Sequence, residues 1–251
     1  MRRLELHYSR DRSFAAIENL DESEPRMYLS LAKLGDTSPF VPRGLENRGA
    51  FFQRLGIDAN RVKSLRQVHS KSVLCSDEPD FQGSTAPEGD GICAADPGEI
   101  LSVSVADCMP IYLFHAGTRS FALLHSGWRG TGIVAEALTK MERRFGVAAE
   151  QFTVVLGPSI RSCCYRVDRS RADLFARRWG GDSVVIRRDE GGGNTHYLNL
   201  LEANRSLLER IGVRDIRYVD ECSVCNTEMG SFRREGPEVF THMLAIFGYF
   251  D

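Results

Sequence analysis

The sequence predicts a mixed α+β fold, on two observations. Three strand-like runs follow one another in the centre of the chain, and stretches of helical periodicity then alternate with strands downstream. The central runs are residues 100–105 (ILSVSV), 111–114 (IYLF) and 120–124 (SFALL), short and rich in strand formers, with turn residues between the last two. Successive strands without intervening helices argue against a simple βαβ repeat, and the chain has neither a G-x-G-x-x-G run nor a P-loop. Over residues 131–145, Ile133, Val134, Ala137, Leu138, Met141 and Phe145 share one helical face, and Gly146 is placed to end the helix. Residues 152–156 read as a strand and 168–179 as a helix that Asp168 or Ser170 caps. Asn199 caps a further helix carrying Ala203, Leu207, Leu208 and Ile211, which stops at Gly212; residues 216–219 and 243–247 are then strands. The polar stretches 77–91 and 187–194 read as loops. No repeat and no Pro- or Ser-rich linker divides the chain, so residues 1–251 are expected to form one domain.

Composition narrows the class of protein. Hydrophobic residues at 42% and charged residues at 26% match ordinary globular usage and exclude disordered and fibrous architectures. With 32 basic against 34 acidic residues, a net charge of -2 offers no global attraction for nucleic acid. The local pairs Arg177-Arg178 and Arg233-Arg234 are readable as anion contacts or as solvated surface. Met1-Arg2-Arg3 is not followed by the apolar segment of a secretory signal, and no run approaches the ~18 apolar residues of a membrane span. Seven cysteines, an odd number without a signal, fit a reducing compartment, and the cytoplasm is the expected location.

Candidate chemistry centres on His69, Cys108 and His125. Two imidazoles and a thiolate suit a tetrahedral metal that keeps its fourth position for water or substrate, whereas structural zinc sites are usually closed by four ligands. His69 lies in a stretch, 65–73, whose alternating apolar residues suggest a strand; Cys108 opens a turn or strand, and His125 closes the apolar run 121–124. Residues 126–131 (SGWRGT) form a Gly-containing turn into the helix, where free amides can hold an anion. Separations of 39 and 17 residues do not by themselves impose convergence, and a buried free Cys or a hydrogen-bonded His is equally ordinary. Trp128 reads as core cover or as an aromatic stacking surface, and Asp107 as a loop anchor or a proton carrier. Strand alternation turns Met109 away from Cys108, against a Cys-His-His-Met blue-copper set. The C-S-V-C of Cys222 and Cys225 supplies one ligand pair, not four, and reads as structural thiols; Cys163-Cys164 receives no catalytic role.

Four segments occur in a telling order: Gln67-Val68-His69, Val105-Ala106-Asp107-Cys108-Met109-Pro110, His125-Ser126-Gly127-Trp128-Arg129-Gly130-Thr131 and Leu156-Gly157-Pro158-Ser159-Ile160. Together they resemble the YfiH-like family, also labelled multicopper polyphenol oxidoreductase (laccase domain) and purine nucleoside phosphorylase, from about Asn47-Arg48 to the C-terminus. The resemblance implies a four-layer α/β/β/α sandwich, shared with bacterial toxin deamidases, and zinc bound by His69, Cys108 and His125, with copper as the alternative metal. It further implies phosphorolysis of adenosine, inosine, guanosine and methylthioadenosine, together with adenosine deamination. Zinc lowers the pKa of a bound water to about 7, which suits attack on C6 of adenine. Phosphorolysis requires anion donors, for which Arg48, Arg129 and the amides after Gly127 are the candidates. The expected partners are a purine nucleoside and phosphate, with no nucleic acid or membrane, and the expected state is a monomer.

The chain departs from the family pattern around the pocket. The usual N-terminal Arg-x-Gly-Gly-Val-Ser and Ser-Leu-Asn-Leu-Gly segments are replaced by Arg10-Asp11-Arg12-Ser13-Phe14 and Ser30-Leu31-Ala32-Lys33-Leu34-Gly35. The alternatives are a Cys-His amide hydrolase editing peptidoglycan precursors, with Cys108 as nucleophile, a copper polyphenol oxidase, and a non-enzymatic protein that keeps zinc as a scaffold.

Overall fold

Neighbouring side chains on the central strands enter different cores. On strand Met109–His115, Met109, Ile111 and Leu113 pack on one face while Tyr112 and Phe114 pack on the other; on strand Ser120–Ser126, Ala122 and Leu124 oppose Phe121 and Leu123. Both faces are buried, which is why these strands read as continuous apolar runs rather than alternating ones. The computed structural model describes residues 1–83, 85–189 and 191–250.

These strands lie in a seven-stranded sheet ordered Arg2–Leu4, Asp215–Val219, Thr153–Leu156, Met109–His115, Ser120–Ser126, Gly91–Ala94, Val73–Cys75. A six-stranded sheet runs Leu6–Tyr8, Phe14–Ile17, Arg26–Ser30, Met243–Gly248, Ile100–Val105, Val62–Ser64. The main helices are α1 (Pro42–Leu55), α2 (Ile133–Phe145), α3 (Arg169–Trp179) and α4 (Leu200–Ile211). One core lies between the sheets, where Tyr112, Phe114 and Phe121 meet Leu29, Val103 and Phe247. Helices α2, α3 and α4 cover the outer face of the larger sheet through residues such as Leu138, Phe175 and Leu208, and α1 covers the smaller one through Phe51. The layers are therefore α/β/β/α.

The expected caps are present: Asp168 accepts from the Arg171 N–H at 2.8 Å, Asn199 from the Glu202 N–H at 3.2 Å, and Gly146 and Gly212 end their helices with φ of 69° and 98°. Two loop expectations change. Stretch 77–91 contains a 3-10 turn at Pro79–Gln82 and ends on a strand, and stretch 187–194 is the turn of a hairpin pairing Val184–Arg188 with Asn194–Leu198. Ser84 and Glu190, inside those stretches, lie outside the described residues.

Phe247 sits at the centre of the inter-sheet core, fully buried, with ring centroids 5.2 Å from Tyr112 and 5.6 Å from Phe121. Phe247→Ala is expected to destabilise the protein by about 3–5 kcal/mol, through lost burial plus an unfilled cavity. Urea midpoints at unchanged m-value check this.

Candidate metal centre and its cavity

Asp90 organises the site. Fully buried, its carboxylate accepts from the backbone N–H groups of Val68 (3.3 Å), His69 (3.1 Å) and Ser70 (2.6 Å), from Ser70 Oγ (2.7 Å) and from His125 Nδ1 (2.9 Å). The backbone around His69 wraps this carboxylate and gives His69 a φ of 58°, so the strand expected over 65–73 is replaced by a bend, with a strand only at Val73–Cys75. Local hydrogen bonding to a buried anion overrides the alternation there. Burial alone would raise the Asp90 pKa, but the bonds from His125 and Ser70 outweigh it and hold it at about 2.

Cys108 sits in the short turn by which the chain passes from the smaller sheet, at Val105, to the larger, at Met109. The preceding residue, Asp107, has a φ of 80°, and its carboxylate accepts from Ser223 Oγ (2.6 Å), Ser231 Oγ (2.7 Å) and the Arg233 N–H (2.7 Å). Asp107 is thus an anchor for the turn that aims Cys108. His125, 5% exposed, ends the strand Ser120–Ser126.

The structure brings His69, Cys108 and His125 together. One ligand atom from each lies within 4.8 Å of the others, and the two imidazole rings stand 4.9 Å apart at 77°. Burial opposes ionisation of Cys108, but His125 and His69 outweigh it and bring the thiol down to about 6. Burial also opposes charge on His125, yet Cys108 and Asp90 raise it to about 9. The two shifts share one cause, the mutual attraction of Cys108 and His125, which favours a thiolate beside an imidazolium. A borderline-soft donor set with a carboxylate behind one imidazole fits zinc chemically. Gly127 faces the cluster closely: a Cβ there would lie 2.7 Å from Cys108 Sγ.

The three donors lie in the wall of a cavity of about 550 Å³, within the range of small-molecule sites. Trp128, Phe40, Phe232 and Phe240 supply aromatic surface, and Arg171 and Arg233 supply positive charge. Arg171 stands 4.8 Å from the Trp128 ring centroid, so Trp128 is at once core cover and cavity wall.

The two arginines expected to hold phosphate do not line this cavity. Arg48 is buried, with Nε donating to the Thr37 carbonyl and Nη2 to Ser104 Oγ, both at 2.7 Å, and burial lowers its pKa to about 10. Arg129 is exposed, 5.4 Å from the Trp128 ring centroid. Helix α2 begins only at Ile133, whose N–H is bonded to the Gly130 carbonyl, so the turn after Gly127 precedes the first turn of the helix. Asp90, Arg171 and the flanking phenylalanines were not legible as site residues; the sole signal was an Asp-Gly in a polar stretch, which reads as a turn.

Fold and site together define a protein of two packed β-sheets between helical layers, with a His/Cys/His candidate metal centre opening on an aromatic cavity. The chain belongs to the multi-copper polyphenol oxidoreductase laccase family, whose model matches residues 32–247. It is 32% identical to a purine nucleoside phosphorylase of Deinococcus radiodurans over 81% of this chain and 76% of that protein. It is also 30% identical to adenosine deaminase RL5, from an unknown prokaryotic organism, over 77% of this chain and 78% of that one. The crystal structure of YlmD from Geobacillus stearothermophilus superposes with a TM-score of 0.84 at 26% identity, covering 97% of this chain and 98% of the other. No helix among the described residues is long and apolar enough to cross a membrane.

Proposed function

We propose that this protein is a zinc-dependent purine nucleoside phosphorylase, acting on adenosine, inosine, guanosine and methylthioadenosine, that also deaminates adenosine. The observation that carries the reading is the His69, Cys108 and His125 cluster set in an aromatic and cationic cavity. The relatives named purine nucleoside phosphorylase and adenosine deaminase support it. Zinc held by these three side chains would supply Lewis acidity toward a substrate heteroatom or water.

The chain's own residues then divide the remaining work. Trp128 and the Phe232–Phe240 pair, whose rings are 5.0 Å apart, present flat apolar surface to a purine and exclude water. Arg171 and Arg233 attract phosphate, which must reach C1′ of the ribose as the glycosidic bond breaks. Asp90 fixes the His125 ring through Nδ1, leaving the other nitrogen for the centre. Met109 is buried in the helix-side core, away from a blue-copper arrangement, which favours zinc over copper.

Purified zinc-loaded protein is expected to release hypoxanthine from inosine only when phosphate is present, and ammonia from adenosine. Arg171→Ala is expected to raise the KM for phosphate about tenfold, equivalent to ~1.4 kcal/mol of binding. Release of neither product by zinc-loaded protein would overturn the assignment.

A second reading rests on the contacts from Asp90 to His125 to Cys108, because a thiolate beside an imidazolium oriented by a carboxylate is also the arrangement of a nucleophilic hydrolase. A covalent substrate adduct on Cys108, formed without metal, would select it.

A further inference from the structure

We propose that Cys163, Cys164, Cys222 and Cys225 form a second metal site, a four-thiolate structural zinc centre separate from the His69 cluster. In the sequence the C-S-V-C pair lacked partners; the fold supplies them, bringing Cys163 and Cys164, 59 and 58 residues upstream of Cys222, within ligand range. The four Sγ atoms all lie within 4.8 Å of one another. Cys163 and Cys164 are 3.7 and 3.4 Å from Cys225 through sulfur. Zinc–sulfur bonds of about 2.3 Å in a tetrahedron place sulfurs about 3.8 Å apart, whereas a disulfide needs about 2.05 Å. The observed spacing is close to the tetrahedral edge.

The surrounding backbone is built for this. Residues 159 and 222 form a β-bridge, with Ser159 N–H donating to the Glu221 carbonyl and Ser223 N–H to the Ser159 carbonyl, each at 3.2 Å. Tight turns carry the cysteines on both sides: Cys164 N–H bonds the Arg161 carbonyl, and Asn226 N–H bonds the Cys222 carbonyl, both at 2.9 Å. The Arg161 N–H points at Cys222 Sγ at 3.5 Å. Burial disfavours the Cys222 thiolate, but N–H donors from Arg161, Cys225 and Val224 outweigh it and lower the thiol below its usual value. Cys163 and Cys164 are pushed the other way, by desolvation first and by the neighbouring sulfurs next, a repulsion that a dication removes.

Such an ion would brace the cavity. The loop it grips on one side carries Ile160 and Tyr165, which line the cavity; the loop on the other carries Ser223, whose hydroxyl holds Asp107 beside Cys108. Its role is structural, since four thiolates leave no open position.

Metal analysis of protein purified under reducing conditions tests the proposal. Wild type is expected to carry two zinc ions per chain and Cys108→Ala one. Zinc-edge X-ray absorption of Cys108→Ala should then show four sulfur neighbours at about 2.3 Å. The double substitution Cys222→Ser with Cys225→Ser should lose that ion and keep the one at His69. Zinc-free Cys108→Ala, zinc there with nitrogen or oxygen neighbours, or a disulfide among the four cysteines would overturn the second site and leave the first untouched. The absorption measurement decides the matter even where the double variant fails to fold.

Discussion

Cys108→Ala is expected to abolish metal binding at the His69 cluster and to reduce release of free base from inosine by about a thousandfold, ~4 kcal/mol of transition-state stabilisation. The fold should persist, because the turn bearing Cys108 is anchored by Asp107 through Ser223, Ser231 and Arg233 and not by the thiol. Circular dichroism and steady-state rates separate the outcomes: a folded variant with unchanged turnover refutes a catalytic centre, and collapse on metal loss makes the ion a scaffold. The same thiol sets a pH dependence. Its pKa is depressed to about 6 in the folded protein, so the thiolate's contribution is complete above the unfolded thiol range and is lost as pH falls through about 6. Zinc uptake by metal-free protein should therefore drop sharply between pH 7 and pH 5. At pH 7.5 uptake should also release a proton, because His125, held up at about 9, must lose one to ligate. An indicator dye in weak buffer reads that proton directly.

Asp90→Ala is expected to be the most damaging single change outside the ligands. It leaves three backbone donors, one hydroxyl and the His125 ring without their buried acceptor. Removing one side of such a buried charged network typically costs about 3–5 kcal/mol. Loss of support behind His125 should also weaken metal binding by about 10- to 100-fold. Asp90→Asn keeps the shape and one acceptor oxygen, so it should recover much of the stability and less of the metal affinity. Denaturation midpoints and chelator competition measure the two effects independently, and a stable Asp90→Ala with native zinc affinity would refute this role. Because the Asp90 pKa is depressed to about 2, its contribution is complete above the unfolded carboxylate value and is lost as pH falls from about 4 toward 2.

The sequence revealed the larger sheet better than the smaller one. Strands such as Met109–His115 are buried on both faces and carry unbroken apolar runs. The N-terminal strands span only three to five residues each, too short for a period to emerge. Helix α1 escaped notice because its buried face is made of Gly44, Arg48 and Phe51, a weak apolar signal in a charged segment. At the site, the candidate ligands stood out in their motif contexts, but their convergence depends on a turn between sheets and on a bend around Asp90. Neither has a local pattern. Which arginines line the cavity, Arg171 and Arg233 and not Arg48 and Arg129, depends on side-chain direction, which residue type does not encode.

The three ligands of the first centre come from a bend, an inter-sheet turn and a strand end, and no two are near neighbours along the chain. An unfolded chain therefore offers no preformed site, and metal recognises only the native state. If the centre takes zinc as proposed, apparent stability is expected to rise with the logarithm of free zinc, by about 2.7 kcal/mol at a hundred times the dissociation constant. On that proposal the persistence of the protein, and not only its turnover, is tied to metal supply: scarcity would thin the folded population before any substrate is met.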